Sequence, residues 1–137
     1  MRDELLERLA DGLDRLDRRL GRQWGPLTRS QWALMTRLRW GALPVGLLAD
    51  RLRISTAGTT RMLDKLERAG YIRRVRSTED LRQVSAELTD EGHAQLQEAR
   101  RAYCLRLGEL TEGFADTEMD AWCRLVERAA PPRHPRP

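Results

Sequence analysis

The apolar residues Leu5, Leu9, Leu13, Leu16, Leu20 and Trp24 recur at spacings of four and three. That spacing places one stripe along a helix whose other faces carry Asp and Arg, and Gly25-Pro26 stops it. Thr28 with Gln31 forms a capping box for a second helix, through QWALMTRLRW and ending near Gly41. Pro44 suits the first turn of a third helix through Leu47, Leu48, Ala49 and Leu52, and Arg53-Ile54-Ser55 is a tight connection to a fourth. Ser55 is the N-cap of that fourth helix and Gly70 its stop. Thr59, Met62, Leu63 and Leu66 form its inward face, while Thr56, Ala57, Thr60, Arg61 and Asp64 face outward.

Tyr71 to Arg76 and Val84 to Leu88 read as two short strands joined by Ser77 to Leu81, a hairpin. Thr89 caps a fifth helix with acids in its first turn and the stripe Leu96, Ala99, Tyr103, Leu107 and Leu110. A last helix follows Asp116, with Met119, Trp122, Cys123, Val126 and Ala130 on one side. Residues 131–137 are a Pro/Arg tail expected to be disordered. The order predicts a mainly α fold with a small β-hairpin wing. A winged helix-turn-helix part spans 28–89 within a single domain, 1–130, flanked by helices over 1–24 and 90–130.

Charge sharpens the picture. Between Asp50 and Arg82 there are nine Lys/Arg against five acids, while the rest of the chain carries sixteen of each, so the formal charge of +4 at pH 7 sits in this one window. A phosphate-binding surface has this footprint. No run of about 18 apolar residues occurs and the N-terminus alternates charge with leucine, so neither a membrane span nor a secretory signal is expected, and the chain is read as cytoplasmic. Cys104 and Cys123 match no metal-ligand spacing and have no histidine partner nearby; neither metal nor cofactor is expected. No nucleophile and base spacing and no phosphate-cradling glycine loop is present, so no catalytic residue is assigned.

The segments LLADRLRIS, TTRMLDKLERAGYIRR, Asp80-Leu81-Arg82 and Leu88-Thr89-Asp90-Glu91-Gly92, in this order and spacing, resemble the multiple-antibiotic-resistance regulators (MarR-type). The first segment is similar to that family's first helix-turn-helix element, the second to its recognition helix entering the wing, the last two to its wing and the helix after it. The resemblance covers nearly the whole length. It implies a homodimer in which helices 1–24 and 90–130 interleave, and a repressor whose DNA affinity responds to a small molecule or an oxidant. It also implies that Asp80 orients a wing arginine while Arg82 approaches the minor groove. Ala57 and Gly58 depart from the pattern, standing where small hydroxyl residues are usual. Thr59 replaces a plain aliphatic, and its hydroxyl must bond back to the preceding turn.

The residues assigned to double-stranded DNA are Ser55, Thr56, Thr60, Arg61, Lys65, Arg74, Arg76, Asp80 and Arg82. Ser55 presents a helix N-terminus to a phosphate. Arg61 either bonds a guanine edge, contacts only phosphate, or pairs with Asp64. On an extended strand Arg74 and Arg76 share a face and Arg73 points opposite, so only part of that run can touch one phosphate row. Trp24, Trp32 and Met35 line an apolar pocket for an aromatic effector or serve core and dimer packing. Cys104 and Cys123 sense oxidants beside Arg101 or Arg124, or pack as small buried hydrophobes; His93 is a solvated residue.

The sequence therefore reads as a sequence-specific transcriptional regulator, a homodimeric repressor released from a pseudo-palindromic operator by a small apolar ligand. A cysteine-based redox-sensing repressor is the alternative. Behind it stand a winged-helix protein-interaction module and a sequence-neutral architectural DNA binder.

Overall fold

The computed structural model describes residues 1–80 and 82–132. Leu81 and most of the expected proline-rich tail, 133–137, lie outside the described residues. The chain divides into two compact units, 1–106 and 107–137, the division falling in the last turn of a long helix.

In the first unit, helix α1 (Arg2–Leu20) ends four residues before Trp24, which corrects the continuous stripe expected from the leucine spacing. Gly21 takes φ 80 and breaks the helix. Trp24 instead lies in a two-residue strand, β1 (Gln23–Trp24), paired with β2 (Leu27–Thr28). Gly25 between them holds φ 56, the positive value that a tight two-residue turn uses at its first central position. Thr28 then caps α2 (Arg29–Arg37) through a complete capping box with Gln31.

A third strand that the sequence pattern did not indicate, after β1 and β2, is β3 (Leu43–Pro44), which precedes α3 (Val45–Leu52). Arg53 closes α3 at φ 56, a left-handed conformation that an L side chain adopts at a cost of roughly 1–2 kcal/mol. Ser55 accepts from the Gly58 N–H at 3.0 Å and starts α4 (Thr56–Arg68). The wing is β4 (Ile72–Arg76) and β5 (Val84–Leu88), antiparallel with Arg74 opposite Ala86. β3 joins the far side of β5, so the sheet order is β3-β5-β4 and β4 is an edge.

Helix α5 (Asp90–Leu110) begins at Thr89, whose hydroxyl accepts from the Gly92 N–H and donates to the Gly70 carbonyl. The core joins β2, α2, α3, α4, β4, β5 and α5: Leu27, Leu34, Met35, Leu38, Leu48, Leu63, Leu66, Ile72, Ala86, Leu96 and Ala99 are buried together. Helix α1 is fastened by an Asp17–Arg29 ion pair and by Arg106, which donates to the Arg19 carbonyl. It buries no residue of its own. In the second unit α6 (Asp116–Ala129) also buries none, and Phe114 packs obliquely on Trp122. No helix among the described residues is long and apolar enough to cross a membrane.

Candidate nucleic-acid interface

Helix α4 divides as its period requires. Thr59, Leu63 and Leu66 are buried, and Thr56, Ala57, Thr60, Arg61, Asp64, Lys65 and Arg68 are exposed. The Thr59 hydroxyl donates to the Ser55 carbonyl at 3.0 Å, the backward bond its buried position demands. Because that bond satisfies the only buried polar side chain of α4, the helix seats firmly while its outward face stays small and basic. Arg61 has no ion pair among the described residues, since Asp64 is taken by Arg74; the alternative Arg61–Asp64 pair is thereby set aside. Lys65 likewise has no ion-pair partner among the described residues. Gly58, Arg61, Met62, Asp64, Lys65 and Arg68 line a shallow groove along the helix, with three cations against one acid.

The wing tip is organised by short side chains. Ser77 Oγ accepts from the Glu79 and Asp80 N–H groups, each at 3.2 Å, and Asp80 Oδ1 accepts from the Arg82 N–H at 3.0 Å. Asp80 thus holds the backbone of Arg82 and sets where Arg82 starts. Arg82 borders a second groove with Thr56, Pro44, Gly46 and Asp50, so the first turn of α4 and the base of the wing share one surface.

The wing arginines are treated unequally. Arg73 pairs with Glu87 across the hairpin, and that carboxylate holds the guanidinium above its ordinary value through its hydrogen bond and its charge. Arg76 is exposed on β4. Arg74 is only 25% exposed: its Nη2 lies 2.8 Å from Asp64 Oδ1 and donates to the Thr60 carbonyl at 3.1 Å. It faces inward because Arg74 shares the strand face of the buried Ile72. That alternation separates Arg74 from Arg73 but leaves Arg76 on the same face; what distinguishes Arg74 is its contact with Asp64 and Thr60 on α4.

The effector candidates also separate. Trp24 and Met35 are buried in the core, Trp24 against Trp32 and Tyr103 with ring centroids 5.0 and 4.4 Å apart. Trp32 lines a cavity of about 160 Å³ between α2 and α5, with Thr36, Arg39, His93, Leu96, Gln97 and Arg100. The Thr36 hydroxyl is buried there with no hydrogen-bond partner among the described residues. Thr36, Arg39 and Arg100, which also line this cavity, belong to no motif in the sequence, and Arg39 lies beyond the end of α2. His93, expected to be merely solvated, is exposed but stands on this cavity's rim. Cys104 and Cys123 are both exposed, so within the single chain neither packs as a buried hydrophobe. The arginines beside them are engaged, Arg101 with Glu98 and Arg124 with Asp120. No cluster of metal-ligating side chains occurs among the described residues.

Comparison with known proteins agrees with this geometry. Residues 27–84 match the model of the MarR family. The HTH-type transcriptional repressor YetL of Bacillus subtilis (strain 168) is 34% identical over 79 residues, 58% of this chain and 47% of that protein. The repressor MdtR of the same organism is 37% identical over 76 residues, 53% of this chain and 49% of that protein. The chain spans about half the length of the curated relatives it matches. Apo wild-type MarR from E. coli superimposes with a TM-score of 0.78 at 25% identity, covering 92% of this chain and 96% of that one. A cysteine-to-serine mutant of that protein, complexed with operator DNA, shares the fold with a TM-score of 0.68 at 24% identity over 92% of this chain and 94% of that one.

Proposed function

From the premise that residues 27–84 form a MarR-family domain, we propose that this chain is a sequence-specific DNA-binding transcriptional regulator acting as a homodimeric repressor. The observation that carries the reading is the outward face of α4, where exposed Thr56, Thr60, Arg61 and Lys65 stand beside a basic wing. Inserted in a major groove, this face offers hydroxyls and a guanidinium to base edges, Arg61 being the side chain able to take both guanine acceptors. Ser55 uses its side chain on the Gly58 N–H and leaves the first amides of α4 directed at a backbone phosphate. Arg76 and Arg82 supply wing contacts, with Arg82 set by Asp80 at the mouth of the flanking minor groove.

Selection of duplexes from a random pool by the full chain, followed by gel shift against scrambled competitor, tests this. A recurrent pseudo-palindromic motif that resists competitor is expected. Equal loss to any duplex would mark a sequence-neutral architectural binder, and failure to retain any duplex would favour a protein-interaction module.

Release by a small ligand is supported by the cavity between α2 and α5. At about 160 Å³ it holds little more than one ring. Its lining of Trp32 and Leu96 against Arg39, Arg100 and the unpartnered Thr36 hydroxyl suits a ring that carries a polar or anionic group, not a purely apolar one. The cysteine alternative is favoured only by the exposure of both thiols. A Cys104→Ser, Cys123→Ser double variant separates the two: peroxide-driven release that vanishes in it would replace the ligand with an oxidant.

A further inference from the structure

Arg74 lies in the middle of the basic window and, by sequence, belongs among the phosphate contacts. Its surroundings argue otherwise. The guanidinium reaches Asp64 at 2.8 Å, the Thr60 carbonyl at 3.1 Å and Glu67 Oε1 at 3.7 Å, all on one flank of α4. The backbone N–H of the same residue donates to Glu67 Oε2 at 3.2 Å. That amide has no other acceptor to expect within the hairpin. Thr89 donates to Tyr71 and Ser77 to Gln83, and since ladder bonds alternate, the intervening pair Arg74 and Ala86 exchanges none. Its N–H therefore points off the outer edge of β4, and Glu67 covers it.

We propose that Arg74 is a positioning residue and not a DNA contact: with Asp64 and Glu67 it clamps wing strand β4 to the flank of recognition helix α4. The clamp has two consequences for binding. It fixes the angle between the two parts that must enter neighbouring grooves at once. It also neutralises two carboxylates that would otherwise stand beside the DNA-facing side of α4. A fork-shaped guanidinium suits the task because it spans a carbonyl and two carboxylates in one plane, which a lysine ammonium cannot.

The inference rests on the DNA-binding reading, so its test has one arm without DNA. In amide hydrogen exchange of the full chain, Glu67→Ala should speed exchange of the Arg74 amide by about tenfold, the bond to Glu67 being its protection. Unchanged exchange would overturn the clamp, whatever the protein binds. In the second arm, affinity is measured by fluorescence anisotropy for a duplex the protein has itself selected from a random pool. Arg74→Ala should weaken binding about tenfold in the parent but less than about twofold in an Asp64→Ala, Glu67→Ala background, where the clamp has lost both acceptors. Equal losses in both backgrounds would make Arg74 an independent phosphate contact. If Arg74→Ala does not fold, Arg74→Lys serves: a phosphate contact survives that exchange nearly intact, whereas the clamp should still lose roughly threefold or more. A parent that selects no duplex would end the DNA reading, and the exchange arm would still decide the clamp.

Discussion

At the scale of single residues, the tightest constraint is at Gly92, where a Cβ would lie 1.9 Å from the Tyr71 carbonyl oxygen. That oxygen also accepts the Thr89 N–H at 3.0 Å, so neither the strand nor the helix can retreat without breaking the junction of wing and α5. Gly92→Ala should therefore destabilise the protein by about 1–3 kcal/mol, as overpacking against fixed backbone does. The measurement is a urea transition, with a lower midpoint at unchanged slope; a midpoint equal to the parent's would mean that α5 shifts freely. Arg61 poses a question of recognition and not of stability, because it is exposed and has no ion-pair partner among the described residues. Arg61→Ala should leave the urea midpoint unmoved and cost about 1–3 kcal/mol on the selected duplex. If Arg61 reads a base, the loss shrinks when that base pair is exchanged; an equal loss on every duplex makes it a phosphate contact.

Among the elements, helix starts were the most legible part of the sequence, because a cap is a local contract between a side chain and amides two or three residues on. Thr28, Ser55 and Thr89 each hold the N–H groups their positions demand. Ser55 matters most, since it sets where α4 begins and hence, on the proposed function, which side chains would lead into a groove. Ser55→Ala should cost about 1 kcal/mol in denaturant, and Ser55→Thr should restore most of it. If the Ala variant matched the parent in both stability and binding, the cap would not define the start of the recognition helix. What could not be read has several physical causes. β1, β2 and β3 are two-residue strands, too short for any period, and they exist because a turn and a neighbouring strand happen to face them. The end of α1 was misplaced because Trp24 continues the leucine spacing while Gly21 breaks the backbone, and periodicity is blind to φ. The inward turn of Arg74 was hidden because strand alternation gives Arg74 and Arg76 one face, and only the packing of α4 beside β4 distinguishes them. The cavity beside Trp32 depends on which faces of α2 and α5 meet, a long-range fact with no local signal.

At the scale of the whole molecule, the two terminal helices leave apolar side chains uncovered. Leu5, Leu6, Leu9 and Leu13 are 51%, 51%, 57% and 53% exposed, and Leu125 and Val126 on α6 are 60% and 52% exposed. Exposure of large side chains at helical spacing on both ends is costly for a monomer, and a second copy offers the same two faces in return. The homodimer of the proposed function thus accounts for surfaces that the winged part does not use. It also fixes the form of the salt dependence. On the proposed function each copy would bring Arg61, Lys65, Arg76 and Arg82 to the backbone or its vicinity, and counterion release should give two copies a log-log slope on the order of −5 to −8. Deleting residues 1–20 removes the exposed leucines of α1 and none of the side chains proposed to face DNA. The shortened protein should sediment as a monomer at micromolar concentration and bind with about half the parent's slope, one copy's share of phosphates. A shortened protein that remained dimeric and kept the full slope would place the dimer contact elsewhere, and a parent slope near zero would remove phosphate binding as the source of its affinity.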